Sequence, residues 1–188
     1  MAAPVYNAQR KDRFPMNLEN YIGVTPDFPK KGISFKDVSP LLRSPEAFKE
    51  AIDRLAEMAE KYHPDVIVGP ESRGFLFGAA LAYKMGIGFV MARKSGKLPG
   101  VTMKVSYQLE YGTATMEVPA DSFKKGDRVL MVDDLMATGG TFAALKKLIA
   151  LAGGEAVACL TVINLEELHG EKAVGLPCES LMNLSDSH

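Results

Sequence analysis

The sequence has few of the features that mark secreted, membrane-spanning or nucleic-acid-binding proteins. Its two cysteines, Cys159 and Cys178, provide neither a disulfide framework nor the spacing of metal ligands. No apolar run approaches the length of a membrane span, and the polar residues 1–15 lack the apolar centre of a signal peptide. The formal net charge of −1 argues against a basic face for nucleic acid. These absences predict a cytoplasmic protein with no nucleic-acid or membrane partner.

The chain also lacks internal repeats, low-complexity tracts and the common nucleotide-binding motifs. Neither G-x-x-x-x-G-K-[ST] nor a G-x-G-x-x-G after a strand occurs. At 188 residues the chain is long enough for one domain with a sizeable core. Short apolar runs alternate with segments of helical period, which predicts an α/β fold with a mainly parallel sheet covered by helices on both faces. The predicted strands are 66–68, 88–92, 129–132 and 156–163, with a hairpin over 105–118.

The segment 129–141 is the most informative part of the sequence. Four apolar residues run into Asp133 and Asp134, and the small residues of 137–141 precede an apolar-periodic segment. This pattern is typical of a buried strand, a tight loop and a helix, and the N–H groups of such a loop bind phosphate well. Carboxylates accept hydrogen bonds from sugar hydroxyls or lie near a divalent metal. The segment therefore suggests a ligand with a phosphate and a sugar, although an ordinary turn beside a solvated Asp pair is the alternative.

This segment resembles the phosphoribosyl-pyrophosphate (PRPP) loop of the type I phosphoribosyltransferases. With three further tracts in the family's order, the similarity covers roughly residues 20–165. The resemblance implies the α/β fold of that family in a single domain, with a small N-terminal hood and a flexible loop or hairpin. The implied parts are an N-terminal arm (1–15), a base-binding hood (16–43), a PRPP-binding core (44–165) and a C-terminal tail (166–188).

The resemblance assigns the segment 129–141 to the ribose 5-phosphate part of PRPP. The residues implied in binding the 5′-phosphate are Ala137, Thr138, Gly139, Gly140 and Thr141. Asp133 and Asp134 are implied as catalytic residues that hold the ribose hydroxyls. Because neighbouring residues of a strand point to opposite faces, both carboxylates can reach one sugar only where the chain is already turning.

A second tract, 69–74, lies between a predicted strand and a predicted helix. Small residues, an arginine and a helix N-terminus suit an anion, and a plain turn with a solvated arginine is the alternative. The tract is similar to the pyrophosphate-binding loop of family members that act on adenine. The similarity implies a cis peptide between Glu71 and Ser72 and a catalytic role for Arg73. It also implies that the diphosphate is bound by Glu71, Ser72, Arg73 and Gly74.

The basic stretch 93–104 contains three cations within five positions, together with glycine and proline. On its own such a stretch is most often a solvated surface loop. The resemblance implies instead a loop that closes over the site and excludes water, with a basic residue contributed by a neighbouring subunit of a homodimer. The diphosphate-binding candidates in it are Arg93, Lys94 and Lys97.

The tract 106–112 follows, with Glu110 and Tyr111 next to a predicted turn. A single glutamate at such a place is usually solvated. By similarity to family members that act on adenine, Glu110 is the implied catalytic residue that handles the proton at N7 or N9 of the purine, and Tyr111 belongs to the flexible loop. A carboxyl group in a closed, dry site can have its pKa raised toward the working pH.

The tract 26–42 alone reads as an irregular loop. It matches the hood of the same family members, which implies that adenine stacks on Phe35 and that main-chain groups near Ser34 and Lys36 read its Watson–Crick edge. A paired donor and acceptor at fixed spacing separates a 6-amino from a 6-oxo purine. Ser34 and Lys36 depart from the aliphatic residue and the arginine expected there, which puts any role of their side chains in doubt.

The resemblance implies transfer of a phosphoribosyl group from PRPP to adenine, giving AMP and pyrophosphate, with Mg²⁺ held mainly by PRPP. Two alternatives remain on the same fold. A PRPP- or nucleotide-sensing regulator would need the phosphate loop but not Glu110 or the closing loop, and would usually carry a basic DNA-binding segment. An enzyme for xanthine or for hypoxanthine and guanine is the other, and the Phe35 hood disfavours it.

Overall fold

A computed structural model describes residues 14–108 and 113–185, and its centre is a seven-stranded sheet. The strands of this sheet are β3 (Val66–Pro70), β4 (Gly88–Lys94), β5 (Thr102–Gln108), β6 (Thr113–Pro119), β7 (Arg128–Met136), β8 (Glu155–Leu165) and β9 (Cys178–Leu184). They lie in the order β5-β6-β4-β3-β7-β8-β9. The five strands from β4 to β9 in this order are parallel, whereas β6 is antiparallel to both of its neighbours.

Helices cover both faces of this sheet. Helices α2 (Pro45–Glu60) and α3 (Arg73–Met85) pack on one face, in a cluster with Ile67, Leu130 and Leu160. Helix α4 (Gly140–Leu151) packs on the other face, in a cluster with Val68 and Met131. Alternate residues of the same strands therefore enter opposite cores, which explains why these strands are almost continuously apolar. The predicted α/β fold with a mainly parallel, doubly covered sheet is confirmed.

Local signals place the helix ends. Ser44 caps α2 by accepting a hydrogen bond from the Ala47 N–H at 3.2 Å, and Pro45 occupies the first turn, where a missing N–H costs nothing. Helix α3 ends at Gly86, whose φ of 69° is a left-handed conformation that favours glycine. In the described part of the chain, no helix is both long and apolar enough to cross a membrane.

The N-terminal hood, predicted as irregular, contains short regular elements. Strands β1 (Gly23–Thr25) and β2 (Phe35–Asp37) form a separate two-stranded antiparallel sheet, in which Thr25 pairs with Phe35. Helix α1 (Ser39–Arg43) follows and leads directly into α2. Three-residue strands carry too little periodicity to be recognised in a sequence rich in proline and glycine.

Two segments are more ordered than the sequence suggests. The predicted basic loop 93–104 is a turn over 95–101 only, because Arg93 and Lys94 end β4 in register with Glu117 and Met116 of β6. The segment 166–188, described above as a tail, contains helix α5 (Glu171–Val174) and the edge strand β9. Strand β9 pairs in parallel with β8 over most of its length, so this segment completes the sheet.

Candidate active site

The carboxyl ends of β3, β4 and β7 meet at one edge of the sheet, where ligands bind in folds of this kind. A cavity of about 100 Å³ lies at this edge. The residues from the sequence analysis that line it are Glu71, Arg93, Lys94, Asp133 and Thr141. Three tracts singled out in the sequence, 69–74, 93–104 and 129–141, therefore contribute to one cavity.

The phosphate loop, residues 137–141, connects β7 to α4. Its Gly139 has a φ of 78° and precedes the first residue of α4. Within the described chain no side chain caps this twelve-residue helix, so the N–H groups of its first turn remain available to an anion. Thr138 is exposed and Thr141 is half-buried on the cavity. The loop thus has the geometry and polarity for a phosphate.

No sequence pattern indicates that Gly170 supports this loop. A Cβ atom on Gly170 would collide with the carbonyl oxygen of Ala137, and one on Gly139 would collide with the carbonyl oxygen of Gly170. The main chain before α5 therefore packs directly on the phosphate loop. Since this contact joins residues far apart in the sequence and involves no side chain, no local pattern could indicate it.

The acidic pair divides between two environments. Asp133 lines the cavity, and its Oδ1 accepts a hydrogen bond from the Asp134 N–H at 2.9 Å. Asp134 is only 2% exposed, and its Oδ2 lies 3.0 Å from Arg73 Nε in an ion pair that is not aligned as a hydrogen bond. Strand β7 continues to Met136, so the chain has not yet turned at the acidic pair. The structure thus places Asp133 on the cavity and Asp134 against α3.

Burial raises the pKa of both aspartates. For Asp133 the pKa is raised well above its usual range by burial and then by the neighbouring Asp134 carboxylate. Burial also raises the pKa of Asp134, although the positive charge of Arg73 opposes this shift. A carboxyl group in the position of Asp133 would be stabilised in its ionised form by a ligand that brings hydroxyl donors or a cation.

The basic residues converge on Glu71. Lys97 Nζ lies 2.7 Å from its Oε1, and Arg93 Nε lies 3.3 Å from its Oε2. The main-chain N–H of Lys94 donates to Oε2 at 3.1 Å. The hydrogen bond from Lys97, followed by that from the Lys94 N–H, lowers the pKa of Glu71 to about 2. The side chains of Arg93 and Lys97 therefore meet at Glu71, which Lys94 contacts through its main-chain N–H.

The start of α3 lies between these groups and the hood. The peptide between Glu71 and Ser72 is cis, as the resemblance implied. Gly74 allows α3 to approach β7, because a Cβ atom there would lie 3.0 Å from Asp133 Oδ1. The guanidinium carbon of Arg73 lies 5.3 Å from the centre of the Phe35 ring, within the range of a cation–π contact. Arg73 thus contacts both the acidic pair and the aromatic ring of the hood.

In the hood, Phe35 also makes an edge-to-face contact with Phe28, with ring centres 5.2 Å apart. Ser34 and Lys36 are 3% and 6% exposed, and Lys36 Nζ donates to Ser34 Oγ at 2.8 Å. Their side chains are therefore engaged with each other. Among the described residues β2 pairs only with β1, so its second edge makes no hydrogen bonds to another strand.

Two residues from the sequence analysis, Glu110 and Tyr111, lie outside the described residues. Their implied roles in proton transfer and in the flexible loop therefore stay predictions. The strands that precede and follow them, β5 and β6, pair from Thr102 with Pro119 to Gln108 with Thr113. Tyr107, near the end of β5, lines the cavity.

Comparison with known proteins gives a consistent result. Residues 37–179 match the phosphoribosyl transferase domain family. The adenine phosphoribosyltransferase of Clostridium kluyveri is 51% identical over 168 residues, which cover 89% of this chain and 98% of that protein. The crystal structure of adenine phosphoribosyltransferase from Thermoanaerobacter pseudethanolicus has a TM-score of 0.87 at 46% identity, covering 89% of this chain and 98% of that one. The crystal structure of the Saccharomyces cerevisiae enzyme contains adenine and D-2,5-dideoxy-2,5-imino-altritol 1,6-bisphosphate. It has a TM-score of 0.85 at 37% identity, covering 91% of this chain and 99% of that one.

The chain belongs to the phosphoribosyltransferase family, since the match spans most of its length and the core strands. Both the relative and the two solved structures named above are adenine phosphoribosyltransferases, with which this chain shares its fold and nearly its whole length. The family resemblance predicted from 129–141 is confirmed.

Proposed function

We propose that this protein transfers the phosphoribosyl group of PRPP to adenine, forming AMP and releasing pyrophosphate. The observation that carries the proposal is the position of Arg73, which contacts Asp134 at 3.0 Å and lies over the Phe35 ring at 5.3 Å. One side chain thus connects the acidic end of β7 to an aromatic platform in the hood. A site that joins one sugar phosphate to one planar base needs these two features next to each other.

In this proposal the phosphate loop binds the 5′-phosphate, with N–H groups at the start of α4 and the hydroxyls of Thr138 and Thr141. Asp133 accepts hydrogen bonds from the ribose hydroxyls, since it is the carboxylate on the cavity. Asp134, the next residue, forms an ion pair with Arg73 and keeps that side chain in place. Fixing the ribose in this way supports attack at C1′ by positioning, without a covalent enzyme intermediate.

The diphosphate lies, in this proposal, next to Ser72, Arg73 and Gly74 at the start of α3, with Arg93, Lys94 and Lys97 completing its surroundings. Negative charge grows on the diphosphate as its bond to C1′ breaks, and an oxocarbenium-like centre develops on the ribose. Cations fixed before the reaction stabilise that charge most effectively. Glu71 contributes by holding Arg93 and Lys97 together, as its contacts with both side chains support.

Adenine stacks on Phe35 in this proposal, and the second edge of β2 reads its Watson–Crick edge. The buried pair of Ser34 and Lys36 supports a main-chain role for these positions, because each side chain already engages the other. Glu110 is proposed to handle the purine proton that must move as the ring nitrogen forms its new bond. This assignment rests on the resemblance of residues 106–112.

Magnesium enters the proposal as a partner of PRPP. Among residues 14–108 and 113–185, no group of three or more His, Cys, Asp or Glu could hold a metal ion. Asp133, the carboxylate on the cavity, would supply one oxygen ligand to a metal whose other ligands are PRPP oxygens. When bound, Mg²⁺ neutralises charge on the diphosphate. Binding of PRPP to the protein in the presence and absence of Mg²⁺ tests this requirement.

We also propose a homodimer and a cytoplasmic location. Leu76 and Tyr83 lie two turns apart on one face of α3 and are 46% and 91% exposed, which supports contact with a second copy. PRPP and AMP are multiply charged and do not cross membranes unaided, which supports the location. Sedimentation should give a dimer for the wild type and a monomer for Tyr83→Asp, and a monomeric wild type would refute the assembly.

A spectrophotometric assay tests the reaction itself. PRPP and Mg²⁺ are supplied with adenine, hypoxanthine, guanine or xanthine, and we expect AMP from adenine only. Turnover of a 6-oxo purine would keep the reaction class and overturn the choice of base. PRPP binding without turnover of any base would favour a regulator.

A further inference from the structure

Glu117, in β6, is a carboxylate that the reaction described so far does not use. Its side chain is 1% exposed, and it accepts four hydrogen bonds in addition to an ion pair with Lys104. Oε1 accepts from three consecutive main-chain N–H groups, those of Gly96, Lys97 and Leu98, at 2.8, 3.0 and 3.2 Å. Oε2 accepts from the Thr102 hydroxyl at 3.2 Å and lies 3.0 Å from Lys104 Nζ.

These contacts hold the turn 95–101, which carries part of the basic cluster. Lys97, in the middle of the three N–H donors, reaches Glu71 at 2.7 Å. Arg93 Nη1 donates to the Lys97 carbonyl oxygen at 3.3 Å, so the side chain of Arg93 is also tied to the turn. Arg93 is in addition the register partner of Glu117 across β4 and β6. Glu117 therefore lies next to the main chain that carries Arg93 and Lys97.

We propose that Glu117 is a positioning residue for the diphosphate end of the site, which sets the place of Lys97 and Arg93 by anchoring the main chain of the turn. The proposal rests on the proposed function in one respect, namely that the anion bound by these cations is the diphosphate of PRPP. Glu117 does not itself touch the cavity, so its effect passes through the turn.

The electrostatics fit a permanent anchor. Burial acts to raise the pKa of Glu117, but the hydrogen bonds from Lys104 and from the N–H groups of Lys97 and Leu98 outweigh it and lower the pKa to about 2. The carboxylate is therefore ionised at any pH at which the enzyme would work. Gly96 and Gly100 have φ values of 84° and 74°, so the main chain of this turn depends on contacts from outside to keep one conformation.

The variant Glu117→Gln keeps the volume of the side chain and removes the charge. Its amide nitrogen cannot accept hydrogen bonds from N–H groups, so at most one of the two former acceptor positions is retained. We expect the KM for PRPP and the Kd for inorganic pyrophosphate to rise about tenfold, the size of one lost charge-assisted contact. The KM for adenine should stay within about twofold, because the hood is untouched. Amide hydrogen exchange at 96–98 should become faster.

Two control variants separate positioning from general destabilisation. Glu179→Gln neutralises another buried carboxylate, which accepts hydrogen bonds from Tyr62 and Lys61 near the opposite ends of the strands, and it should leave the KM for PRPP unchanged. Thr102→Val removes one contact to Oε2 and leaves the three N–H donors on Oε1, so it should also bind pyrophosphate normally. Thermal midpoints are recorded for all variants, and Glu117→Asp tests partial rescue.

The outcomes distinguish this proposal from the proposed function. Weaker pyrophosphate binding together with faster exchange at 96–98 in Glu117→Gln supports the role of Glu117, even where the wild type fails to convert adenine. Unchanged pyrophosphate binding, or equal losses for PRPP and adenine that follow the thermal midpoint, would overturn it. Absence of turnover in the wild type with pyrophosphate still bound would overturn only the reaction.

Discussion

The two ends of the cavity use carboxylates in opposite ways. At the end proposed for the diphosphate, the pKa of Glu71 is lowered to about 2 by Lys97 and by the main-chain N–H of Lys94. The pKa of Glu117 is also lowered to about 2, although burial opposes this shift. At the sugar end, burial raises the pKa of Asp133 and Asp134, and the two carboxylates also lie next to each other. The carboxylates of the diphosphate end are thus stabilised in their ionised form, while at the sugar end burial outweighs the Arg73 cation and the Asp134 N–H. The comparison supports the proposal that a ligand completes the sugar end, whereas at the diphosphate end Glu71 and Glu117 keep the cations in place.

The largest effect should come from removing the carboxylate at the sugar end. Asp133→Asn should lower kcat/KM for PRPP by about a hundredfold, the size of two charge-assisted hydrogen bonds to the ribose. Steady-state kinetics with saturating adenine measure it, with exposed Asp121→Asn as the control. Kinetics of Asp133→Asn equal to those of the wild type would contradict the sugar-binding role.

The phosphate loop, at the same end, should respond next most strongly. Gly170→Ala introduces a methyl group against the Ala137 carbonyl oxygen and should raise the KM for PRPP on the order of tenfold, since small displacements of substrate-holding groups are costly. Gly154→Ala is the matched control, because its Cβ would lie 2.8 Å from a Val129 side-chain carbon, away from the loop. An equal rise in KM for both variants would point to general loosening of the fold.

At the diphosphate end the individual cations should matter less. Lys97→Met should raise the KM for PRPP about fivefold, because a partly exposed cation contributes little to binding. Lys94→Met should have a smaller effect, because the contact of Lys94 with Glu71 uses its main-chain N–H. Inhibition by pyrophosphate, measured for both variants, checks that Lys97 matters more than Lys94. A larger effect of Lys94→Met would make Lys94 the more important cation for the diphosphate.

The smallest effects concern stability, and they should have opposite signs at the two ends. Because the pKa of Asp133 is raised in the folded protein, its ionisation costs stability as pH rises above the ordinary value of 3.8. Asp133→Asn should therefore raise the thermal midpoint at pH 7, and this gain should vanish near pH 4. The pKa of Glu71 is lowered from 4.5 to about 2, so its contribution is present above pH 4.5 and lost as pH falls toward 2.

Glu71→Gln should accordingly have a lower thermal midpoint than the wild type at pH 7. This difference should shrink as the pH falls below 4.5. Thermal unfolding followed by circular dichroism from pH 3 to pH 8 measures both variants. Shifts of the same sign for Asp133→Asn and Glu71→Gln at pH 7 would remove the contrast between the two ends.

The sequence predicted the structural features that are determined by a few consecutive residues. The apolar run before Asp133, the small residues of the phosphate loop and the cap at Ser44 each signal their structure within a few residues, and all three are found. The site features that escaped prediction are contacts between distant segments. Glu117, in β6, binds the main chain of the turn between β4 and β5. Gly170 contacts the phosphate loop through main-chain atoms. The short strands β1 and β2 escaped because three residues carry no measurable period.

The contact between Gly139 and Gly170 also restricts how this chain can vary. Neither position can acquire a side chain while the other keeps its main-chain path, because the colliding atoms are carbonyl oxygens, not movable side chains. No single substitution elsewhere restores the space. The main chain before α5 and the phosphate loop therefore constrain each other, although they lie far apart in the sequence.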